Sequence, residues 1–125
     1  MFLEFVRVVQ GLQPEVFVFE NVSGILNMQK GQALLAIVSA FENIGYSCQY
    51  RVLNSADYGV PQKRPRFILI GSRDGKNIGF PPATHGRISS QGLLFGANIR
   101  PHLTSWDALS DLPEITQGQG SEEMD

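Results

Sequence analysis

The chain holds a single cysteine, Cys48, in 125 residues, which excludes an internal disulfide framework and fits a reducing compartment. Its two histidines, His85 and His102, have no metal-ligand spacing to each other or to Cys48, so no metal site is expected and both read as surface or loop residues. No apolar run approaches the roughly 20 residues that cross a bilayer. The start, Met1-Phe2-Leu3-Glu4-Phe5-Val6-Arg7, has no basic stretch ahead of an apolar core, so it does not read as a signal peptide. A cytoplasmic setting is expected. No strand-like run leads into a Gly-rich phosphate loop, which weakens the case for a general nucleotide-binding half-domain.

Basic residues are scarce at both ends and concentrated between them. Residues 51–100 carry eight basic groups (Arg51, Lys63, Arg64, Arg66, Arg73, Lys76, Arg87 and Arg100) against Asp57 and Asp74, whereas residues 101–125 carry six acidic groups and no basic one. The overall charge of −2 therefore hides a strongly positive middle, which suits a phosphate-facing surface or a solvated basic face. A hydrophobic content of 42% is ordinary for a globular domain.

Apolar residues at 2, 3, 5, 6, 9 and 12 predict a first helix, ended by Gly11 and Pro14. Val16-Phe17-Val18-Phe19 reads as a buried strand, with a loop or short turn at Ser23–Leu26. Leu34, Ile37, Val38, Phe41 and Ile44 give an amphipathic helix from about Gln29 to Asn43, with Gly45 as a left-handed cap. Tyr46 to Asn54 alternates as a second strand. Phe67-Ile68-Leu69-Ile70-Gly71 is a third, apolar on both faces and so central. Residues 55–65 form too short a connection for a crossover helix, so the last two strands should form a reversed pair. Beyond Asp74 periodicity fades into a surface excursion. Thr104-Ser105 then caps a short helix through Trp106, which is expected to pack onto the domain.

Two clusters have chemical potential. Glu20-Asn21-Val22 closes the first strand and puts a carboxylate at its end, where open α/β sheets meet ligands. Gln62-Lys63-Arg64-Pro65-Arg66 sets two guanidinium forks two residues apart, pointing the same way in extended backbone. A carboxylate beside Arg donors can grip a polar heterocycle or a phosphate. By themselves, Glu20 could equally satisfy turn N–H groups near Ser23 and Gly24, and the arginines could mark a solvated strand start.

Pro14–Val22 and Asp57–Arg66 resemble, in order, the Glu-Asn-Val and Gln-x-Arg-x-Arg motifs of the DNA (cytosine-5) methyltransferases. The stretch from Phe80-Pro81-Pro82 through Trp106-Asp107-Ala108-Leu109 to Asp111-Leu112-Pro113 is similar to what precedes that family's target-recognition region. The resemblance implies the C-terminal half of a doubly wound, Rossmann-like α/β sheet with an irregular C-terminal extension. Residues 1–78 would be a partial catalytic domain and 79–125 a linker towards target recognition. It implies that Glu20 holds N3 and the 4-amino group of a flipped cytosine and that Arg66 meets O2. Arg64 would hold the catalytic loop or a backbone phosphate, Gln62 would order the same pocket, Asn21 would fix the turn and the neighbouring Cys loop, and Val22 would stand with these among the substrate- and DNA-binding residues. Lys63 and Pro65 fall at variable positions.

The same resemblance implies S-adenosylmethionine as methyl donor and double-stranded DNA as partner, in a bacterial or phage restriction–modification setting. The family's Phe-x-Gly-x-Gly cofactor loop and Pro-Cys-Gln nucleophile precede Glu-Asn-Val, and neither occurs before Glu20. Binding of S-adenosylmethionine is therefore not expected of this chain alone. Ser47-Cys48-Gln49 imitates the nucleophile motif but follows Glu20 and opens an alternating strand, so Cys48 is expected to be structural. Two readings stay open: part of a split or longer methyltransferase completed by an N-terminal half, or a non-catalytic remnant that binds DNA or self-associates through an exposed strand edge.

Overall fold

A computed structural model describes residues 2–86 and 99–115. Helix α1 spans Phe2–Leu12 and buries Val6 and Val9. It stops where Gln13 turns to a φ of 50° while donating its N–H to the Val9 carbonyl at 2.8 Å. Strand β1 runs Val16–Val22, followed by a 3₁₀ turn at Ser23–Leu26. Helix α2 covers Gln32–Glu42, starting later than the apolar spacing predicts. Gln29 (φ 50°) and Lys30 (φ 57°) adopt left-handed backbone and Gly31 follows at φ 85°, so the helical path cannot begin until Gln32. Gly45 closes α2 at a φ of 91°, a conformation that glycine adopts without strain.

Strands β2 (Ser47–Asn54) and β3 (Pro65–Ser72) complete a sheet ordered β1-β3-β2. Both neighbours run antiparallel to β3, so β1 and β2 are parallel to each other. They are joined by α2 as a crossover unit, with the reversed β3 slotted between them. The reversed pair and the central place of the third strand match the sequence expectation. One face of the sheet carries the core. Phe17, Phe19, Phe67 and Leu69 pack with Val6, Val9, Ile37, Phe41 and Tyr46, and Phe17 sits 4.5 Å from Phe41 and 5.1 Å from Tyr46 between ring centroids. Tyr46 is buried and donates its hydroxyl to the Pro14 carbonyl at 2.6 Å, which ties the end of α2 to the entrance of β1.

The opposite face is different. Alternation along β1 leaves Val16, Val18 and Val22 exposed, so β1 is covered on one face only, not buried on both. Among the described residues no strand pairs with its outer edge. Nearer β2 this face is partly covered by the excursion, where the Arg51 guanidinium lies 5.2 Å from the Phe80 ring centroid. A short parallel bridge joins β4 (His85–Gly86) to β5 (Arg100–Pro101), and α3 spans Ser105–Leu109. A reciprocal Thr104–Asp107 capping box holds α3. Trp106 does not pack as expected: it is 75% exposed, because a one-turn helix held by its cap has little face to bury. No helix among the described residues is long and apolar enough to cross a membrane.

Candidate base-binding site

Glu20 does not end its strand. The β1–β3 ladder continues with Asn21 opposite Phe67 and Val22 opposite Arg66, so the carboxylate stands within the paired region. Glu20 lies opposite Ile68 and Val22 opposite Arg66, which makes Glu20 and Arg66 diagonal neighbours on the face away from the core. Long side chains reach across that diagonal, and Arg66 Nε meets Glu20 Oε1 at 2.8 Å. Arg66 Nη1 also donates to the Pro65 carbonyl at 3.0 Å.

The Arg66 side chain is 23% exposed and that of Glu20 54%. The pair is thus worth little to stability, about 0–1 kcal/mol for such a solvent-screened contact. Its importance is positional. Arg66 lines a cleft of about 310 Å³ whose walls come from Leu53, Ser55, Tyr58, Val60, Ile68 and Pro81. The cleft is a shallow, open depression with mostly apolar walls and Arg66 as its one charged group.

The remaining expected site residues are placed separately. Arg64 lies exposed one position before β3 and gives its backbone N–H to Asn54 Oδ1 at 2.9 Å, so the two guanidinium groups do not share the contact to Glu20. Gln62 lines a larger cleft of about 450 Å³ with Ala56, Pro61, Lys63, His102 and Thr104, not the cleft that contains Arg66. Asn21 Oδ1 accepts the Val22 N–H at 2.8 Å, a contact between neighbours at the end of β1. No bond joins Glu20 to the N–H groups at Ser23 or Gly24 among the described residues.

Cys48 lies opposite Gly71 on the core face and packs against the core cluster. Burial, and secondly the Glu42 carboxylate, push its thiol up to about 11. A catalytic thiolate needs the opposite shift. Two further contacts fasten the loop between β2 and β3. Asn54 Oδ1 accepts from both Ala56 N–H, at 3.4 Å, and Arg64 N–H; an Asn at a strand end before Ser-Ala-Asp is a recognisable turn signal. His102 Nε2 meets Asp57 Oδ1 at 2.8 Å, and nothing local announces that pair.

A crossover unit with a reversed third strand, bearing a carboxylate–guanidinium pair on the face away from the core, gives this chain the architecture of a segment of an α/β methyltransferase fold. Its structure superposes on that of a proposed DNA modification methyltransferase encoded within a prophage (E. coli), with a TM-score of 0.63 and 26% identity, covering 90% of this chain and 30% of that one. The chain belongs to the C-5 cytosine-specific DNA methylase family, whose profile matches residues 1–120. It is 44% identical to the Type II methyltransferase M.AquIA of Picosynechococcus sp., over 91% of this chain and 50% of the relative. It is 37% identical to the Type II methyltransferase M1.HphI of Haemophilus parahaemolyticus, over 97% of this chain and 29% of the relative. The chain thus spans half or less of the length of these relatives.

Proposed function

We propose that this chain is the base-gripping part of a DNA (cytosine-5-)-methyltransferase, which takes a methyl group from S-adenosylmethionine to C5 of a cytosine flipped out of double-stranded DNA. The observation that carries this is the 2.8 Å cross-strand pair of Glu20 and Arg66, whose arginine lines a mostly apolar cleft. Addition of a thiolate to C6 of cytosine pushes electron density towards N3 and O2. A carboxyl group hydrogen-bonded at N3 and the 4-amino group, with a guanidinium at O2, stabilises that charge as it develops. Glu20 takes the first role in its protonated form, one carboxyl oxygen donating its proton to N3 and the other accepting from the 4-amino group, and Arg66 takes the second by donating to O2. Their mutual bond fixes both groups before the base arrives, so little reorganisation accompanies the reaction. A base reaches them only outside the stack.

Arg64, exposed one position before β3, suits a DNA phosphate, while Gln62 at the separate cleft and Asn21 and Val22 at the end of β1 are assigned to substrate or DNA binding. Residues 1–78 form the partial catalytic unit and 79–125 lead towards target recognition. The residues described do not fit S-adenosylmethionine: no strand among them runs through a Gly-rich turn into a helix, and Gly24, just after β1, faces open space, not a cradle. The nucleophile, too, must come from elsewhere, since Cys48 is turned into the core with a raised thiol pKa.

A second chain or segment that adds a strand to the outer edge of β1 would pair its free backbone groups and supply both parts. Without it, that edge favours self-association. The test is transfer of labelled methyl groups to cytosine-containing duplexes, by this chain alone and together with an N-terminal half carrying the Gly-rich loop and Pro-Cys-Gln. Transfer is expected only from the combination. Transfer by the chain alone, lost in Cys48→Ser, would overturn the assignment. No transfer from a folded, stable combination would favour a non-catalytic DNA-binding or oligomerising role.

A further inference from the structure

The 3₁₀ turn Ser55–Tyr58 is held from two directions. On one side it receives the excursion. Thr84 N–H donates to the Asp57 carbonyl at 2.9 Å, His102 Nε2 meets Asp57 Oδ1 at 2.8 Å, and the Tyr58 hydroxyl donates to the Pro81 carbonyl at 3.0 Å. Arg100 N–H donates to the Thr84 carbonyl at 3.0 Å, so the stretches around Thr84 and His102 arrive as one bridged piece. The next residue, Gly59, has a φ of 88°, and a Cβ there would stand 2.8 Å from His85 Cε1. The excursion therefore packs directly against the end of the turn.

On the other side the same turn is bolted to the arginine segment. Arg64 N–H donates to Asn54 Oδ1 at 2.9 Å, and Ser55 N–H donates to the Arg64 carbonyl at 3.2 Å. Val60 N–H donates to the Ser55 carbonyl at 3.2 Å. Arg66 is two residues further on, at the start of β3. A continuous set of contacts thus runs from His102 through Asp57 and the turn to Arg64, and along the backbone to Arg66.

We propose that Asp57 and His102 are positioning residues: their bond fastens the excursion to the Ser55–Tyr58 turn and thereby fixes the loop that sets Arg64 and Arg66. Asp57 has two attachments, one through its backbone and one through its side chain, and only the second can be removed by substitution. The consequence for base binding rests on the function proposed above; the tie itself does not.

The test is hydrogen–deuterium exchange of the whole chain, read by mass spectrometry at micromolar concentration, without DNA or cofactor. His102→Ala removes the donor to Asp57. Peptides covering 55–65 should then exchange faster by about tenfold, the factor that one partly buried hydrogen bond is worth, along with those around Thr84 and Arg100. Peptides of β1 and of Phe67–Ile70 should keep their protection. His102→Gln, whose amide can still donate to Asp57, should restore exchange to within about threefold of the parent, since the hydrogen bond is retained.

Faster exchange confined to residues 80–86 and 99–104, with 55–65 unchanged, would overturn the positioning role. So would failure of His102→Gln to restore protection where His102→Ala removed it. An equal loss of protection throughout β1–β3 would mean that the bond merely contributes global stability, and would also overturn the proposal. A chain that passes this test but gives no methyl transfer in combination with an N-terminal half refutes the catalytic role alone.

Discussion

Replacing Gly71 by alanine should drive the core apart at the strand that carries Arg66. A Cβ at this position would lie 2.2 Å from Cε1 and 2.3 Å from Cζ of Phe17. Carbon atoms touch at about 3.5 Å, so the ring would have to retreat by more than an ångström. It has nowhere to go. Phe17 is 7% exposed, with Phe41 at 4.5 Å, Tyr46 at 5.1 Å and Phe5 at 5.8 Å between centroids. Overpacking a filled core costs about 1–3 kcal/mol, and enclosure of the ring on several sides puts this case near the top of that range. With a urea dependence of about 1–1.5 kcal/mol per molar for a domain of this size, the unfolding midpoint should fall by about 2 M. Urea titration followed by tyrosine fluorescence or circular dichroism measures this. Phe17→Leu, which shortens the obstructing side chain, should lower the midpoint by itself, yet combining it with Gly71→Ala should cost less than the two separate losses together. A Gly71→Ala chain with a midpoint within about 0.3 M of the parent, a change too small for overpacking, would refute the steric reasoning and the packing of β1 on β3 that it assumes.

Cys48 should react with iodoacetamide at pH 8 about a hundredfold more slowly in the folded chain than in urea, because a thiol raised from 9.0 to about 11 holds that much less thiolate; equal rates would contradict its burial against α2. In an enzyme completed by an N-terminal half, Glu20→Gln and Arg66→Ala should each lower turnover by roughly a hundredfold with little loss of DNA affinity. Lys63→Ala should weaken binding slightly in a salt-dependent way and leave turnover nearly intact; if Lys63→Ala abolished turnover while Glu20→Gln spared it, the assigned roles would be wrong. Sedimentation of the isolated chain should show concentration-dependent association that Val18→Lys reduces, since Val18 is 57% exposed on the uncovered face of β1; a monomer at high concentration would remove the case for an adhesive edge.

The elements that could be read from the sequence are those whose periodicity is complete within one window. Phe2–Leu12 shows its apolar stripe and Phe67–Gly71 its unbroken apolar run, and both became the expected helix and central strand. The start of α2 was hidden because Gln29 and Lys30 have good helical propensity; their left-handed backbone reflects the geometry that links two turns, which no propensity encodes. The components of the site were legible as motifs, whereas their arrangement was not. Whether Glu20 ends its strand depends on how far β3 pairs alongside it, and that register is set by residues more than forty positions away. For the same reason Asp57 and His102, 45 residues apart, looked like an unremarkable loop acid and loop histidine. Trp106 was misjudged because a large aromatic usually buries itself, but here a capping box suffices to form its helix.

The placement of β3 between its neighbours also imposes an order in time. β2 and β3 are joined by only the ten residues 55–64, so their pairing closes a small loop early. β1 cannot take its seat until β3 exists, and the chain between Val22 and Pro65 is 42 residues long, a costlier closure. Substitutions at Tyr50 or Val52 should therefore slow folding, whereas those at Phe19 should mainly hasten unfolding; the reverse pattern in a stopped-flow experiment would exclude this sequence of events. Glu20 and Arg66 face each other across the later of the two seams. The Glu20–Arg66 pair then forms only once β1 has docked on β3, and it is lost whenever β1 loosens from the sheet.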